Sequence, residues 1–425
     1  MVSLVYQPEN RATFIQQALQ WAAGFDCVCY LDSNGYQDPY GSIDALLAVG
    51  AKISFTSNGE NTFERLQEFL DSHPDSWIPG FLGYDLKNEI EGLESRHPNT
   101  TGFPDAFFFV PEQLLLIGRQ HVTVRANDPD LIYRQILNTG VTDTSLNFKG
   151  KLKHRMNRQA YFEAFAHLQQ HIQQGDIYEV NLCQEFYSEN TTLHPLEAYR
   201  RLNAVSPTPF SCFLKCGQQY VLSASPERFL AKNGSTLLSQ PIKGTAPRSK
   251  NISEDERIKT SLQANPKEIS ENIMIVDLVR NDLTRSAKRG TVKATELLAV
   301  HSFKQVHQLV STITCELDNN LLPTTAIRNT FPPGSMTGAP KISAMKLIDR
   351  YEHSRRGIYA GAIGYFSPMG DFDFNVVIRT LVYNAENGYL SFHTGGAITA
   401  GADAEKEYNE CLLKGQALFE VLNSQ

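Results

Sequence analysis

The 425 residues are 41% hydrophobic and 20% charged, with a formal net charge of −7, the balance of a soluble globular chain able to bury a large core. The negative balance excludes nucleic-acid binding driven by phosphate contacts, but not an anionic small molecule met by a local cation. No run approaches the ~20 apolar residues that span a bilayer. The first 25 residues lack the basic-then-apolar order of a secretory signal, and the seven cysteines (27, 29, 183, 212, 216, 315, 411) lack zinc-finger spacing, as in a reduced cytoplasmic protein.

Residues 9–23 predict a helix with Phe14, Ala18, Trp21 and Ala22 on one side. "CVCYLDSNG" then predicts a strand ending in a turn, and "SWIPGFLGYDL" and "AFFFVPEQLLLIG" predict further strands. Residues 126–148 hold a short helix and a polar connector, which places a boundary between an N-terminal region, 1–148, and a larger region, 149–425. The second region opens on "RQAYFEAFAHLQQHIQQGD", an amphipathic helix with Tyr161, Phe165, Leu168 and Ile172 at helical spacing and Gly175 as its stop. Strand-like runs follow: "IYEVNLCQEFY", "FSCFLKC", "QYVLSASPERFLAK" and "TLLSQPIKGT". A charged helical stretch leads into "NPKEISENIMIVDLVRNDL", whose apolar residues predict burial on several sides. Four more strands and a last helix, N-capped by Asp403, complete the chain. Strands that cluster and join by short turns predict an α+β sheet assembly rather than a βαβ repeat.

Several side chains stand out chemically. In "QPIKGTAPR" Lys243 lies among turn formers, so it either decorates a surface turn or is aimed into a pocket. Glu268 and Glu271 share a helix face at i, i+3, and so do Glu407, Glu410 and Lys414 on the last helix. Such faces are either solvated or, when buried, neutralised by a cation, and hard oxygen donors from two helices suit Mg²⁺. Arg379 in "VVIRTLV" needs an anionic partner, protein or ligand. His307 reads either as a core histidine or as a functional one. "FPPGSMTGAPK" is glycine-rich without being a phosphate-binding P-loop, and "HTGGAITAG" lets backbone approach a ligand closely.

Taken in order, "SPERF", "PIKGTAPR", "KEISENIMIVDLVRNDL", "FPPGSMTGAPK", "GIYAGAIGYFS", "VVIRT", "GGAIT" and "EKEYNECLLK" resemble the chorismate-utilising enzymes from about residue 150 to the end. That family includes anthranilate synthase component I, aminodeoxychorismate synthase component I, and the isochorismate and salicylate synthases. The resemblance implies a large, mostly antiparallel two-sheet β-sandwich flanked by helices, as in anthranilate synthase component I. Lys243 occupies the slot where the aminodeoxychorismate synthase branch has lysine and the anthranilate branch alanine. It therefore implies amination of chorismate at C4 to 4-amino-4-deoxychorismate, in para-aminobenzoate and folate biosynthesis. The ammonia would come from a glutamine amidotransferase subunit.

By the same resemblance, Lys243 is the nucleophile, Glu227 the general acid, and His307 and Ser335 line the reacting face. A buried site is expected to raise the pKa of Glu227 and to lower that of Lys243. Mg²⁺ is expected on Glu271 and Glu410, with Glu268 and Glu407 as further or water-mediated ligands. Arg379 and Tyr359 are expected to hold the side-chain carboxylate of chorismate, and Lys414 with the amides of Gly395 and Ala397 the ring carboxylate. Thr245 is a further expected substrate contact. Leu31, Asp32 and Ser33 fall where the family forms a tryptophan pocket, in an N-terminal region interleaved with the rest. Two positions depart from the pattern: Glu179, where amine-adding members have glutamine and water-adding ones lysine, and Asn272, where many relatives have histidine. Other readings are an anthranilate synthase, a water-adding isochorismate or salicylate synthase, and a non-catalytic chorismate-binding regulator.

Overall fold

The computed structural model describes residues 1–423 apart from 42, 143 and 305. Every strand pairing described is antiparallel, and the pairings form one continuous hydrogen-bonded set. One branch runs from Val2–Tyr6 through Val122–Ala126, Ala106–Ile117, Ala45–Ser57, Cys27–Asp32, Phe210–Cys216, Gln219–Ser225, Thr380–Asn384 and Tyr389–Thr399 to Glu179–Ser188. The other leaves Ala106–Ile117 near its start. It passes through Ile78–Leu82, Ala362–Phe366, Phe372–Asn375, Arg228–Asn233 and Thr236–Gln240 to Val306–Glu316. This is the α+β, two-sheet architecture that the sequence predicts.

Alternation along the strands shows why two sheets form. Cys27 and Cys29 face a core shared with Leu214, Val221, Phe81, Ile363 and Tyr365, residues drawn from both branches. Val28 and Tyr30, on the opposite face, join a second core with Phe14, Leu202 and Leu418 from three covering helices. A strand buried on both faces packs a sheet on one side and helices on the other. The outer face of the second branch is covered by the helices Thr62–Asp71, Pro266–Thr284 and Pro323–Thr330. The helices Arg158–Gln174, Lys341–Tyr351 and Ala404–Lys414 pack over Val180, Leu182 and Ile398 at the end of the first.

The N-terminal strands are not set apart. Cys27–Asp32 pairs with Phe210–Cys216, and Ile78–Leu82 with Ala362–Phe366. The helix ends follow local chemistry: Asn157 and Asp403 accept bonds from backbone amides at their N-termini, and Gly175 turns left-handed (φ 83°) to stop Arg158–Gln174. The helix Pro266–Thr284 differs from expectation. It buries one face, Glu271, Asn272, Ile275, Val276, Val279, Asp282 and Leu283, and leaves Ile273 48% exposed. Among the described residues no helix is long and apolar enough to cross a membrane, and the seven cysteines are free thiols.

Candidate active site

Lys243 lies on Ile242–Pro247, a short strand whose pairing with Val306–Glu316 shifts register between Ile242 and Thr245. Next to it Gly244 has φ 90°, and a Cβ there would lie 2.9 Å from Glu268 Oε2. That positive φ is what favours glycine here. Lys243 is buried, and its Nζ donates to Glu179 Oε1 at 2.7 Å. Burial pushes the amine down, but the negative charges of Glu179 and Glu271 outweigh it, and its pKa lies above the ordinary lysine value. The expected lowering is therefore corrected: this pocket shields the amine from water yet surrounds it with carboxylates.

Glu227 is buried and accepts a 3.4 Å bond from the Ile242 amide, and the nearby Ser335 hydroxyl also favours its charged form. Burial nevertheless raises its carboxyl to about 7, the direction that a proton donor at neutral pH requires. Ser335 is fixed in turn, its carbonyl accepting from Asn181 Nδ2 at 3.0 Å.

Four carboxylates face one another from two helices, Glu268 and Glu271 on Pro266–Thr284 and Glu407 and Glu410 on Ala404–Lys414. Lys267 Nζ sits 2.9 Å from Glu407 and 3.7 Å from Glu271. Lys414 Nζ lies 2.8 Å from Glu410 and donates to the Gly395 carbonyl at 3.0 Å. Burial raises Glu271 to about 7 and leaves its Oε1 enclosed without a hydrogen bond, the Lys267 ammonium at 3.7 Å being its nearest cation. Burial also raises Glu268 and Glu407, whereas Lys414 lowers Glu410. Among the described residues no three candidate ligands converge as a ready cage. Mg²⁺ does not need one, because it binds through one or two protein carboxylates and completes its shell with water and substrate oxygens. A Glu271 oxygen enclosed without a hydrogen bond, on a face shared with three further carboxylates, fits that donor set.

Arg379 has a left-handed backbone (φ 51°), and its guanidinium makes no hydrogen bond or ion pair with a described residue. Burial lowers it to about 10, and Glu227 is the charge that opposes this. Tyr359 is buried, its hydroxyl 3.6 Å from Cys183 Sγ and its ring stacked on His393 at 4.8 Å. Gly395 and Ala397 pair with Cys183 and Asn181 on one side, while Thr380–Asn384 covers the other side only as far as Ser391.

His307 does not join this group. Its Nδ1 meets Ser302 Oγ at 2.8 Å and its Nε2 meets Asp255 Oδ1 at 3.1 Å. Arg248 clamps the same carboxylate and holds Asp255 well below the usual carboxylate range. Both ring nitrogens are committed to that structural cluster, which corrects the expectation that His307 lines the reacting face. The next residue, Gln308, faces Thr245 instead: its Nε2 lies 3.3 Å from Thr245 Oγ1, and its Oε1 is buried without a partner.

Two further features escape a reading of the sequence. Glu352 and Arg356 form a fully buried pair at 2.6 Å that also holds the Cys183 amide and the carbonyls of Asn181 and Met336. They pin the strand carrying Glu179 to the loop carrying Ser335, and the only signal is their i, i+4 spacing. Asn272 ties the acidic helix to Val306–Glu316, accepting from Ser311 Oγ at 2.6 Å.

Leu31, Asp32 and Ser33 line a separate cavity of about 930 Å³, with Arg228, Trp77 and Tyr365 among its walls. Asp32 accepts from the Tyr30 hydroxyl at 2.7 Å and the Asn34 amide at 2.8 Å, and the Ser33 hydroxyl is buried without a partner.

A two-sheet antiparallel sandwich that gathers a buried lysine, a raised carboxyl, facing glutamates and an unpaired arginine defines a class. The family model of the chorismate binding enzymes matches residues 25–420, and the chain belongs to that family. Within it, the chain is 37% identical over 421 residues to aminodeoxychorismate synthase component 1 of Escherichia coli, covering 92% of each chain. It is 32% identical to anthranilate synthase component 1 of Thermus thermophilus, over 89% of this chain and 88% of that one. Among solved structures, anthranilate synthase component I from Streptococcus pneumoniae superposes with a TM-score of 0.78 at 26% identity, covering 90% of this chain and 94% of that one. The menaquinone-specific isochorismate synthase of Escherichia coli shares the fold, with a TM-score of 0.79 at 18% identity over 99% of this chain and 94% of that one.

Proposed function

We propose that this protein aminates chorismate at C4, giving 4-amino-4-deoxychorismate and water, as a cytoplasmic enzyme of para-aminobenzoate synthesis. The observation that carries this reading is Lys243 itself: a primary amine buried beside Glu179, within the field of Glu271, Glu227 and Lys414. Likeness to aminodeoxychorismate synthase component 1 over nearly the whole chain supports it.

Lys243 attacks C2 while Glu227, protonated near neutral pH, hands its proton to the departing C4 hydroxyl. Ammonia then adds at C4 and the lysine leaves, which divides one hard substitution into two easier ones. Arg379, without a hydrogen-bond or ion-pair partner among the described residues, supplies a planar fork for the side-chain carboxylate of the substrate, and the Tyr359 hydroxyl supports it. Lys414 and the strand end at Gly395 and Ala397 meet the ring carboxylate. Thr245 and Ser335 border the ring, Ser335 beside Glu227. Glu271 and Glu410 would hold Mg²⁺ with Glu268 and Glu407 behind them, and the ion would neutralise the carboxylates and orient the ring. Ammonia comes from a glutamine amidotransferase partner, for which concentrated ammonium salt substitutes in vitro. The cavity lined by Leu31, Asp32 and Ser33 takes tryptophan, in a domain division of 1–148 and 149–425 whose strands interleave.

The test is product analysis after incubation with chorismate, Mg²⁺ and ammonium. Aminodeoxychorismate is expected, with Lys243→Ala inactive and an adduct on Lys243 seen by mass spectrometry when ammonia is left out. Anthranilate or isochorismate as the product, or full turnover by Lys243→Ala, would overturn the reading.

A further inference from the structure

The chemistry above leaves Glu179 without a task, yet its place beside Lys243 is fixed by the fold. It opens the strand Glu179–Ser188, paired with Thr399 on one side and Ala339 on the other. A Cβ on Gly338 would lie 2.2 Å from the Glu179 carbonyl, so only glycine allows the loop to close over it. The side chain is 1% exposed, with one oxygen 2.7 Å from Lys243 Nζ and the other enclosed without a partner.

An ammonium has no lone pair, so Lys243 must lose a proton before its nitrogen can bond to carbon. The charged groups facing that nitrogen are Glu179 from this strand, Glu268 and Glu271 from the acidic helix, Glu410 and Lys414 from the last helix, and Glu227. Glu227 has a proton to give, Lys414 is a cation, and the three helix glutamates belong to the cation site. Glu179 alone both touches Nζ and has an oxygen to spare.

Resting on the proposed amination, we infer that Glu179 is the catalytic base that takes the Lys243 proton as its nitrogen bonds to C2, and returns it when the lysine departs. The first step begins with a lysine ammonium, a Glu179 carboxylate and a protonated Glu227. The N–C2 bond forms, the ring double bond shifts and the C4–O bond breaks. One lysine proton goes to Glu179, and the Glu227 proton leaves with the hydroxyl as water. In the second step ammonia bonds to C4 and the C2–N bond breaks. Glu179 reprotonates the departing lysine, and the new C4 ammonium gives its extra proton to Glu227. Every group returns to its starting state, and nothing is oxidised or reduced.

The experiment compares wild type, Glu179→Gln and Glu179→Asp with Mg²⁺ and chorismate from pH 7 to 9.5. It follows adduct formation on Lys243 without ammonia, and turnover with ammonium. At pH 7.5 Glu179→Gln is expected to slow both about 100-fold or more, the scale of general-base catalysis, with KM changed less than about 3-fold. Its deficit should shrink as rising pH lets solvent remove the lysine proton, and Glu179→Asp should recover a tenth or more of the wild-type rate. Variant rates within about 3-fold of wild type at every pH would overturn the inference. So would a deficit that is equal at all pH or confined to KM, the mark of a residue that only positions the lysine. A second readout needs no variant: wild-type adduct formation should fall as pH passes about 7, where Glu227 loses its proton. A rate level or rising to pH 9 would show that solvent must deprotonate the lysine, and would overturn the inference. Wild type that forms neither adduct nor aminodeoxychorismate removes the amination reading itself, an outcome distinct from all of these.

Discussion

Two neighbouring residues, Glu227 and Arg228, serve two pockets that treat charge in opposite ways. Arg228 lines the 930 Å³ cavity. Its guanidinium is 1% exposed and fully engaged: Nε and Nη2 bond Asp373 at 2.8 Å each, Nη1 bonds Gln240 at 2.5 Å, and Asp38 takes the remaining fork. In the proposed reaction pocket, Glu227, Glu271 and Arg379 are also removed from water, but their charges are met incompletely. A buried charge that is matched holds the chain together, and one that is unmatched stores a cost that a ligand can relieve. At Arg228 the first cavity therefore has a charge that is already matched, whereas the second holds charges of both signs that the described residues leave unmatched.

The largest expected effect breaks the matched side. Arg228→Met strands Asp373 and Asp38 and should cost about 3–5 kcal/mol of stability, read as a lowered midpoint in urea. Arg379→Met should leave that midpoint unchanged or higher, because among the described residues no hydrogen bond or ion pair is lost and a buried charge is removed. Its cost appears instead as a chorismate KM raised about 10- to 100-fold, the loss of a charged hydrogen bond of about 1.5–3 kcal/mol. If Arg379→Met proved the more destabilising of the two, the contrast between the pockets would fail.

The next effect lies in the pH dependence of stability. Glu227 ionises at about 7 in the folded protein and at the ordinary 4.5 when unfolded. Its contribution is fully present below pH 4.5 and is lost as pH rises through 7. The shift corresponds to about 3 kcal/mol at most, at about 1.4 kcal/mol per pH unit. Glu227→Gln has no such loss, so its stability relative to wild type should improve from pH 5 to pH 8. Denaturation curves at those two pH values check this, and a constant gap would show that the carboxyl is not desolvated.

These contrasts also separate what was legible in the sequence from what was not. Lys243 stood out because a lysine among prolines and glycines has few conformations, and Arg379 because a lone cation in an apolar run demands an anion. The paired glutamates were visible at i, i+3, and alternation with short turns announced antiparallel sheets. The Glu179–Lys243 pair was hidden, since 64 residues separate its members and only the fold brings them together. For the same reason the sign of the lysine pKa shift could not be read: burial was inferable, the carboxylates around it were not. The bridging by Lys267 was also out of reach, as it joins helices about 140 positions apart. The acidic helix is less buried than its apolar content implies, because Ile273 faces outward.

His307 shows the limit most plainly. Facing can be read from a strand when one side is wet, because polar and apolar residues then alternate. Val306–Glu316 is buried without a break from His307 to Ile313, and its pairings with Lys293–Ser302 and Ile242–Pro247 both carry register shifts. Parity therefore cannot be read there, and of two adjacent polar residues it is Gln308 that meets Thr245 while His307 turns to Ser302 and Asp255. The smallest expected effect tests the reassignment. Gln308→Leu removes one neutral amide beside Thr245 and should raise the chorismate KM by about 1 kcal/mol, or roughly 5-fold, with little change in thermal midpoint. His307→Leu should do the reverse, keeping the KM while losing about 1–3 kcal/mol of stability as Ser302 and Asp255 forfeit a shared partner. If His307→Leu instead altered the KM and spared the midpoint, the histidine would belong to the reaction pocket and the facing drawn for this strand would be inverted.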